Sequence, residues 1–120
     1  MRNKTLIIGA SVNPERYAYK ASEALLEHNH EIYMIGNRPG TLLDREITKS
    51  QIPYTDVDTV TMYVSAKNQV DYYDYILSLK PRRVLFNPGT ENESFAKQLE
   101  KNGIVAEEAC TLVLLATDQY

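Results

Sequence analysis

The sequence predicts an α/β fold in which a doubly wound, five-stranded parallel sheet lies between two layers of helices. Short apolar runs, typical of parallel strands buried on both faces, alternate with amphipathic stretches of helical period. The stretches between runs are long enough for right-handed crossover connections, which join parallel strands. The chain has 120 residues, the size of one domain. We therefore expect a single Rossmann-like domain over residues 1–120.

The main strands are predicted from five apolar runs that end at glycine, asparagine or other polar residues. In chain order they cover residues 5–8, 32–35, 59–64, 83–86 and 104–106, and residues 46–48 are a candidate extra strand. We expect the five main strands to lie in the order 3-2-1-4-5, one of the doubly wound arrangements.

Helices are predicted between these strands. Asn13 and Pro14 suit the N-cap and the first position of a helix that ends near residues 28–30. Pro81 and Gly103 are typical signals for the ends of two later helices. The later helices are predicted over residues 68–79, 92–101 and 111–116.

Composition and charge exclude several classes of protein. The net charge of −3 argues against a nucleic-acid-binding protein, which needs a basic face. The sequence has no apolar stretch long enough for a membrane span. Cys110 is the only cysteine, so no internal disulfide can form, and we expect a reducing, cytoplasmic setting.

The turn after the first strand is the candidate phosphate-binding site. Gly9 allows a tight turn through Ala10 and Ser11, and backbone N–H groups at the start of the following helix can point at a phosphate. The Ser11 hydroxyl adds a donor, and Arg16 and Lys20 can neutralise phosphate charge. The alternative is that Gly9 only makes a turn and that the two basic residues are solvated.

A standard NAD site is not expected. Dinucleotide-binding turns follow the pattern G-x-G-x-x-G, but here Ser11 and Pro14 replace the second and third glycines. The acidic residue that binds the NAD ribose belongs at the end of the second strand, where this chain has Gly36 and Asn37.

Several segments together resemble the small bacterial CoA-binding proteins, which are similar to the CoA-binding domain of the succinyl-CoA synthetase α subunit. The resemblance covers residues 5–116 and depends on the order and spacing of the segments. They are Ile8-Gly9-Ala10-Ser11, Asn13-Pro14-Glu15-Arg16, Val57-Asp58-Thr59-Val60 and Gly89-Thr90-Glu91-Asn92-Glu93, followed by Cys110.

The resemblance implies a protein that binds coenzyme A or an acyl-CoA along the ends of the strands. The third strand departs from the family, because Tyr63-Val64-Ser65 stands where many members end in Phe-Arg. The cofactor-binding positions expected from the turn and from the resemblance are Gly9, Ala10, Ser11, Asn13, Arg16, Lys20, Gly36, Asn37, Arg38, Asn87 and Gly89.

No catalytic constellation accompanies the candidate site. His28 and His30 are predicted at the wrong end of the first helix, and Glu107 and Glu108 would raise rather than lower the pKa of the Cys110 thiol. We therefore expect a binding protein that is not an enzyme by itself. Two alternatives stay open: a CoA-binding subunit of a multi-component acyl-CoA ligase or transferase, and an interaction module that has lost its ligand.

The helix predicted over residues 68–79 also carries tyrosines. Tyr72, Tyr73 and Tyr75 cannot all face the core from one helix, and exposed tyrosines are enriched at interfaces. We predict a homo-oligomer that uses this face, the alternative being a monomer with partly exposed tyrosines.

Overall fold

The computed structural model describes residues 4–120, in which strands and helices alternate except over residues 31–62, where four strands follow one another without a helix. The strands are β1 (Lys4–Ile8), β2 (Glu31–Ile35), β3 (Gly40–Leu42), β4 (Arg45–Thr48), β5 (Val57–Met62), β6 (Arg83–Phe86) and β7 (Val105–Glu108). The helices are α1 (Tyr17–Glu27), α2 (Ala66–Gln69), α3 (Tyr73–Leu79), α4 (Glu93–Lys101) and α5 (Thr111–Ala116), with a 3-10 turn, Val70–Tyr72, between α2 and α3. None of these helices has the length and apolar character needed to cross a membrane.

The strands described form one sheet in the order β3-β4-β2-β1-β5-β6-β7, in which only β3 and β4 pair antiparallel. The prediction of a largely parallel sheet in an α/β fold is confirmed. The prediction of five strands is wrong, because the sheet has seven. The order 3-2-1-4-5 is also wrong: the third main strand, β5, pairs with β1, and β4 lies beside β2.

The β3–β4 hairpin explains both errors. Leu43 and Asp44 have φ angles of 49° and 65°, as in the two-residue turns that join antiparallel neighbours. Leu42 and Ile47 are buried, so the hairpin adds to the core. Because a hairpin needs a far shorter connection than a parallel crossover, the hairpin fills the edge beside β2 before the chain reaches β5.

Helices cover both faces of the sheet, because successive side chains of β1 point to opposite faces. Ile7 packs in one cluster with Leu25 of α1, and Leu6 packs in another with Phe95 of α4; all four are fully buried. The same division places α5 with α1 and α3 with α4. The predicted three-layer arrangement is therefore confirmed.

Candidate functional site

A cleft of about 820 Å³ lies at the carboxyl ends of β1 and β5. Its walls are the turn between β1 and α1, residues Asn37 and Arg38 after β2, and the segment that follows β5. The chain leaves β1 for β2 on one side and β5 for β6 on the other, so the cleft lies at the point where the winding of the sheet reverses. Ligands of open α/β sheets bind in this position, and the volume is typical of small-molecule sites.

Gly9 brings the turn close to the neighbouring strand. Its φ is +97°, and a Cβ atom at this position would lie 2.8 Å from the carbonyl oxygen of Tyr63 and 3.0 Å from a methyl carbon of Val64. Glycine is therefore required twice, by backbone conformation and by space. Gly9 therefore allows the turn after β1 and the segment after β5 to meet at the base of the cleft.

The first backbone N–H groups of this turn form hydrogen bonds within the protein. The N–H groups of Gly9 and Ala10 both donate to the carbonyl oxygen of Ile35, at 2.8 and 2.9 Å. They hold the turn against the end of β2 and are not free for a ligand. Both residues still line the cleft, and their place among the binding residues stays a prediction.

The donors that do face the cleft belong to the start of α1. The helix begins at Tyr17 rather than at Pro14, because Asn13 closes a turn of its own: its side-chain oxygen accepts from Glu15 N and its carbonyl from Arg16 N, each at 3.0 Å. Within residues 4–120, the N–H groups of Tyr17 and Ala18 have no acceptor. Both residues line the cleft, so these N–H groups and the helix dipole are available to an anion.

Side chains add polar groups and positive charge. Ser11 Oγ accepts a hydrogen bond from Asn13 N at 3.0 Å, which leaves its own proton to donate. Among the charged residues that line the cleft, Arg16 and Arg38 outnumber the single carboxylate of Glu15, a net formal charge of +1. Since the whole chain carries −3, the cleft has the opposite sign to the molecule around it. This arrangement favours an anionic ligand.

Four of the expected binding residues do not line this cleft. Lys20 lies one turn further along α1, with its ammonium 5.2 Å from the ring centroid of Tyr17. Gly36 is buried beneath Ala10, and Gly89 lies in the exposed loop before α4. The expected positions that do line the cleft are Gly9, Ala10, Ser11, Asn13, Arg16, Asn37 and Arg38.

Asn87, the fourth residue outside the cleft, joins three elements of the core. Its buried amide nitrogen donates to Thr61 Oγ1 at 2.7 Å and to the carbonyl oxygen of Met62 at 2.9 Å, and its oxygen accepts from Thr111 N at 2.9 Å. These bonds tie the end of β6 to β5 and to the start of α5. In the structure, the Asn87 side chain therefore links core elements.

The wall that follows β5 was not predicted as part of the site. It consists of Tyr63, Val64, Ser65 and Asn68. Burial is the largest cause that raises the pKa of Tyr63, to about 12, so this phenol is protonated at neutral pH. The sequence did contain a signal, because a polar segment follows a strand that was predicted to be buried. The predicted strand order, however, did not place that strand beside β1, so the segment was not expected to lie next to Gly9.

The other chemistry-bearing residues lie elsewhere. His28 Nδ1 lies 2.8 Å from the carbonyl oxygen of Ala24, at the C-terminal end of α1. Cys110 is a half-buried free thiol that precedes α5 and does not line the cleft. The part of the chain that the structure describes contains no cluster of ligands suited to a metal ion.

The tyrosines predicted to form an exposed face are held by their own chain. The helix predicted over residues 68–79 is divided by the 3-10 turn into α2 and α3. Tyr73 stacks on Phe95 with ring centroids 4.1 Å apart, and the hydroxyl of the buried Tyr75 donates to the carbonyl oxygen of Ile52. Two of the three tyrosines on which the predicted homo-oligomer was based therefore make contacts within their own chain. The oligomeric state stays a prediction.

Comparisons with known proteins agree with this fold. A family model described as a CoA binding domain matches residues 3–116. A crystal structure of an uncharacterized protein is 46% identical, with a TM-score of 0.98 and coverage of 100% of this chain and 99% of the other. A hypothetical protein from Pyrococcus horikoshii OT3 is 25% identical, with a TM-score of 0.84 and coverage of 93% and 80%.

A third structure, of a protein from Thermus thermophilus, shares the fold at 18% identity, with a TM-score of 0.87 and coverage of 99% and 91%. Among curated proteins no significant match was found. Because the family model spans nearly the whole chain, the assignment does not depend on these structures. The chain belongs to the family of CoA binding domains.

Proposed function

We propose that the protein binds coenzyme A or an acyl-CoA in the cleft between β1 and β5, and that it does not catalyse a reaction by itself. The observation that carries the proposal is the convergence of free helix N–H groups and two arginines on one cleft. CoA carries a diphosphate and a phosphate monoester on its ribose, and these groups need donors and positive charge of this kind. Membership of the CoA binding domain family supports the choice of ligand.

The residues of the cleft suit binding better than catalysis. Those that line it in the described chain include no histidine or cysteine, and Tyr63, whose pKa burial raises to about 12, holds its proton at neutral pH. Glu15 is exposed beside Arg16, in a position to affect the binding of charge. A reaction of the bound thiol or thioester would need groups from a partner.

Calorimetric titration with CoA, acetyl-CoA and NAD tests the proposal. We expect CoA and acetyl-CoA to bind with similar affinity and NAD to bind more weakly, because Asn37 stands where an acid would bind the ribose of NAD. Tighter binding of NAD would overturn the ligand assignment. No binding of either CoA compound by the folded protein would overturn the function.

A pair of serine variants locates the site. Ser11→Ala removes a hydroxyl that lines the cleft, whereas Ser50→Ala removes one that does not. A hydrogen bond to a charged group contributes about 1.5–3 kcal/mol, so Ser11→Ala should weaken CoA binding by about 10- to 100-fold. Ser50→Ala should leave it within about threefold. Equal affinities of the two variants would place the ligand elsewhere.

A further inference from the structure

The loop after β2 is pressed against the phosphate-binding turn. Gly9 N and Ala10 N both donate to the carbonyl oxygen of Ile35, the last residue of β2. A Cβ atom at Gly36 would lie 2.4 Å from the carbonyl oxygen of Ala10. Because the two segments are in direct contact, the residues just beyond Gly36 lie next to a ligand whose phosphates bind at the start of α1. Those residues are Asn37 and Arg38, and both line the cleft.

Arg38 brings an uncompensated charge to this position. It is exposed, and within residues 4–120 no carboxylate lies within ion-pair distance of it. The segment 36–40 reads Gly-Asn-Arg-Pro-Gly, so it contains no acid that could accept a hydrogen bond from a free ribose hydroxyl. In dinucleotide-binding folds an acid at this strand end selects an unmodified ribose, and an arginine accommodates a phosphate on it.

We propose that the cleft selects nucleotides that carry a phosphate monoester on the ribose, and that Arg38 binds this phosphate. The inference rests on the proposed function, since it takes the diphosphate to bind at the start of α1. The planar guanidinium has the geometry to hold two phosphate oxygens at once, which a solvated point charge does not. Asn37 offers neutral polar groups beside it and does not repel the phosphate.

Two ligands share this chemistry: CoA carries the phosphate on the 3′ oxygen and NADP on the 2′ oxygen. Calorimetric titrations compare CoA with dephospho-CoA, which lacks only the 3′-phosphate, and NADP with NAD. A charge-assisted hydrogen bond predicts that CoA binds about 10- to 100-fold more tightly than dephospho-CoA. In Arg38→Gln the ratio should fall below about threefold, while the affinity for dephospho-CoA stays within about threefold of the original.

The control is Lys101→Gln, which removes the same charge from an exposed residue at the end of α4, outside the cleft. It should preserve the preference for CoA. Equal affinities of the original protein for CoA and dephospho-CoA, or an unchanged ratio in Arg38→Gln, would overturn the role of Arg38.

The remaining outcomes separate this inference from the proposed function. If both CoA compounds bind equally and both weaken in Ser11→Ala, the function stands and the ribose-phosphate inference falls. Binding of NADP in preference to both CoA compounds, with the preference lost in Arg38→Gln, would support the role of Arg38 and overturn the function. No binding of any of the four ligands would overturn both.

Discussion

Gly9 and Gly89 have similar backbone conformations, but we expect substitution by alanine to destabilise the protein much more at Gly9. Gly9 has φ +97° and Gly89 has φ +92°, a region that residues with a side chain rarely adopt. A Cβ atom at Gly89 would meet no heavy atom within 4 Å, whereas one at Gly9 would lie 2.8 Å from the carbonyl oxygen of Tyr63. The change to alanine at both positions therefore separates backbone strain from crowding.

The magnitudes follow from these contacts. The left-handed conformation costs an alanine about 1–2 kcal/mol, so Gly89→Ala should lower the free energy of unfolding by that amount. Crowding in a well-packed region adds about 1–3 kcal/mol, so Gly9→Ala should lower it by about 2–5 kcal/mol in total. The two nearest atoms are the carbonyl oxygen and carbonyl carbon of Tyr63, directly after β5, and this backbone cannot move away as a flexible side chain would.

Urea unfolding followed by circular dichroism measures both variants. We expect lower midpoints with unchanged slopes, since the surface exposed on unfolding is the same. Gly9→Ala should also weaken CoA binding, because the turn must shift away from Tyr63, while Gly89→Ala should not. Free energies of unfolding within about 0.5 kcal/mol of each other would refute the close approach of β1 and β5 at the base of the cleft.

Two further predictions concern stability. Asn87→Ala breaks three buried hydrogen bonds and should lower the free energy of unfolding by about 1–3 kcal/mol. Under conditions in which the variant is fully folded, its affinity for CoA should stay within about threefold of the original. A large loss of affinity without destabilisation would instead show that Asn87 contacts the ligand. Partial burial raises the pKa of Asp58, but hydrogen bonds from Arg82 and Thr59 outweigh it and lower the pKa overall. A pKa that is lower in the folded than in the unfolded protein stabilises the folded state at a pH above the pKa of the unfolded chain. The stabilisation by ionised Asp58 should therefore be complete above about pH 5 and be lost as the pH falls below about 4. Asp58→Asn should reduce the difference between the urea midpoints at pH 7 and pH 3. An unchanged difference would contradict this role of the carboxylate.

The apolar pattern was enough to predict the main strands and the layers of the fold. Strands buried on both faces, such as β1 and β6, each contain three consecutive apolar residues, and these runs were enough to predict their positions. The strand order did not follow, because it depended on a hairpin whose turn, Leu43-Asp44, contains neither glycine nor asparagine. Leucine rarely adopts a positive φ angle, so Leu43 gives no sign of the turn, and Asp44 alone is a weak signal.

The site could be predicted on one side only. The turn after β1 carries its signal in Gly9 and Ser11, and both line the cleft. The opposite wall depends on which strand pairs with β1, which is a long-range property of the sheet. The position of Asn87 could not be predicted either: an amide at the end of a strand suits a ligand or the core equally well, and only the structure shows its hydrogen bonds to Thr61 and Thr111.

Bound CoA is expected to lie in the cleft between β1 and β5, with its phosphates at the start of α1. The most direct test is a titration of isotope-labelled protein with CoA, followed by backbone amide NMR. We expect the largest shifts at Ser11, Tyr17 and Ala18, with further shifts at residues 37–38 and 63–68. Shifts centred instead on the loop around Gly89, with these amides unchanged, would contradict it.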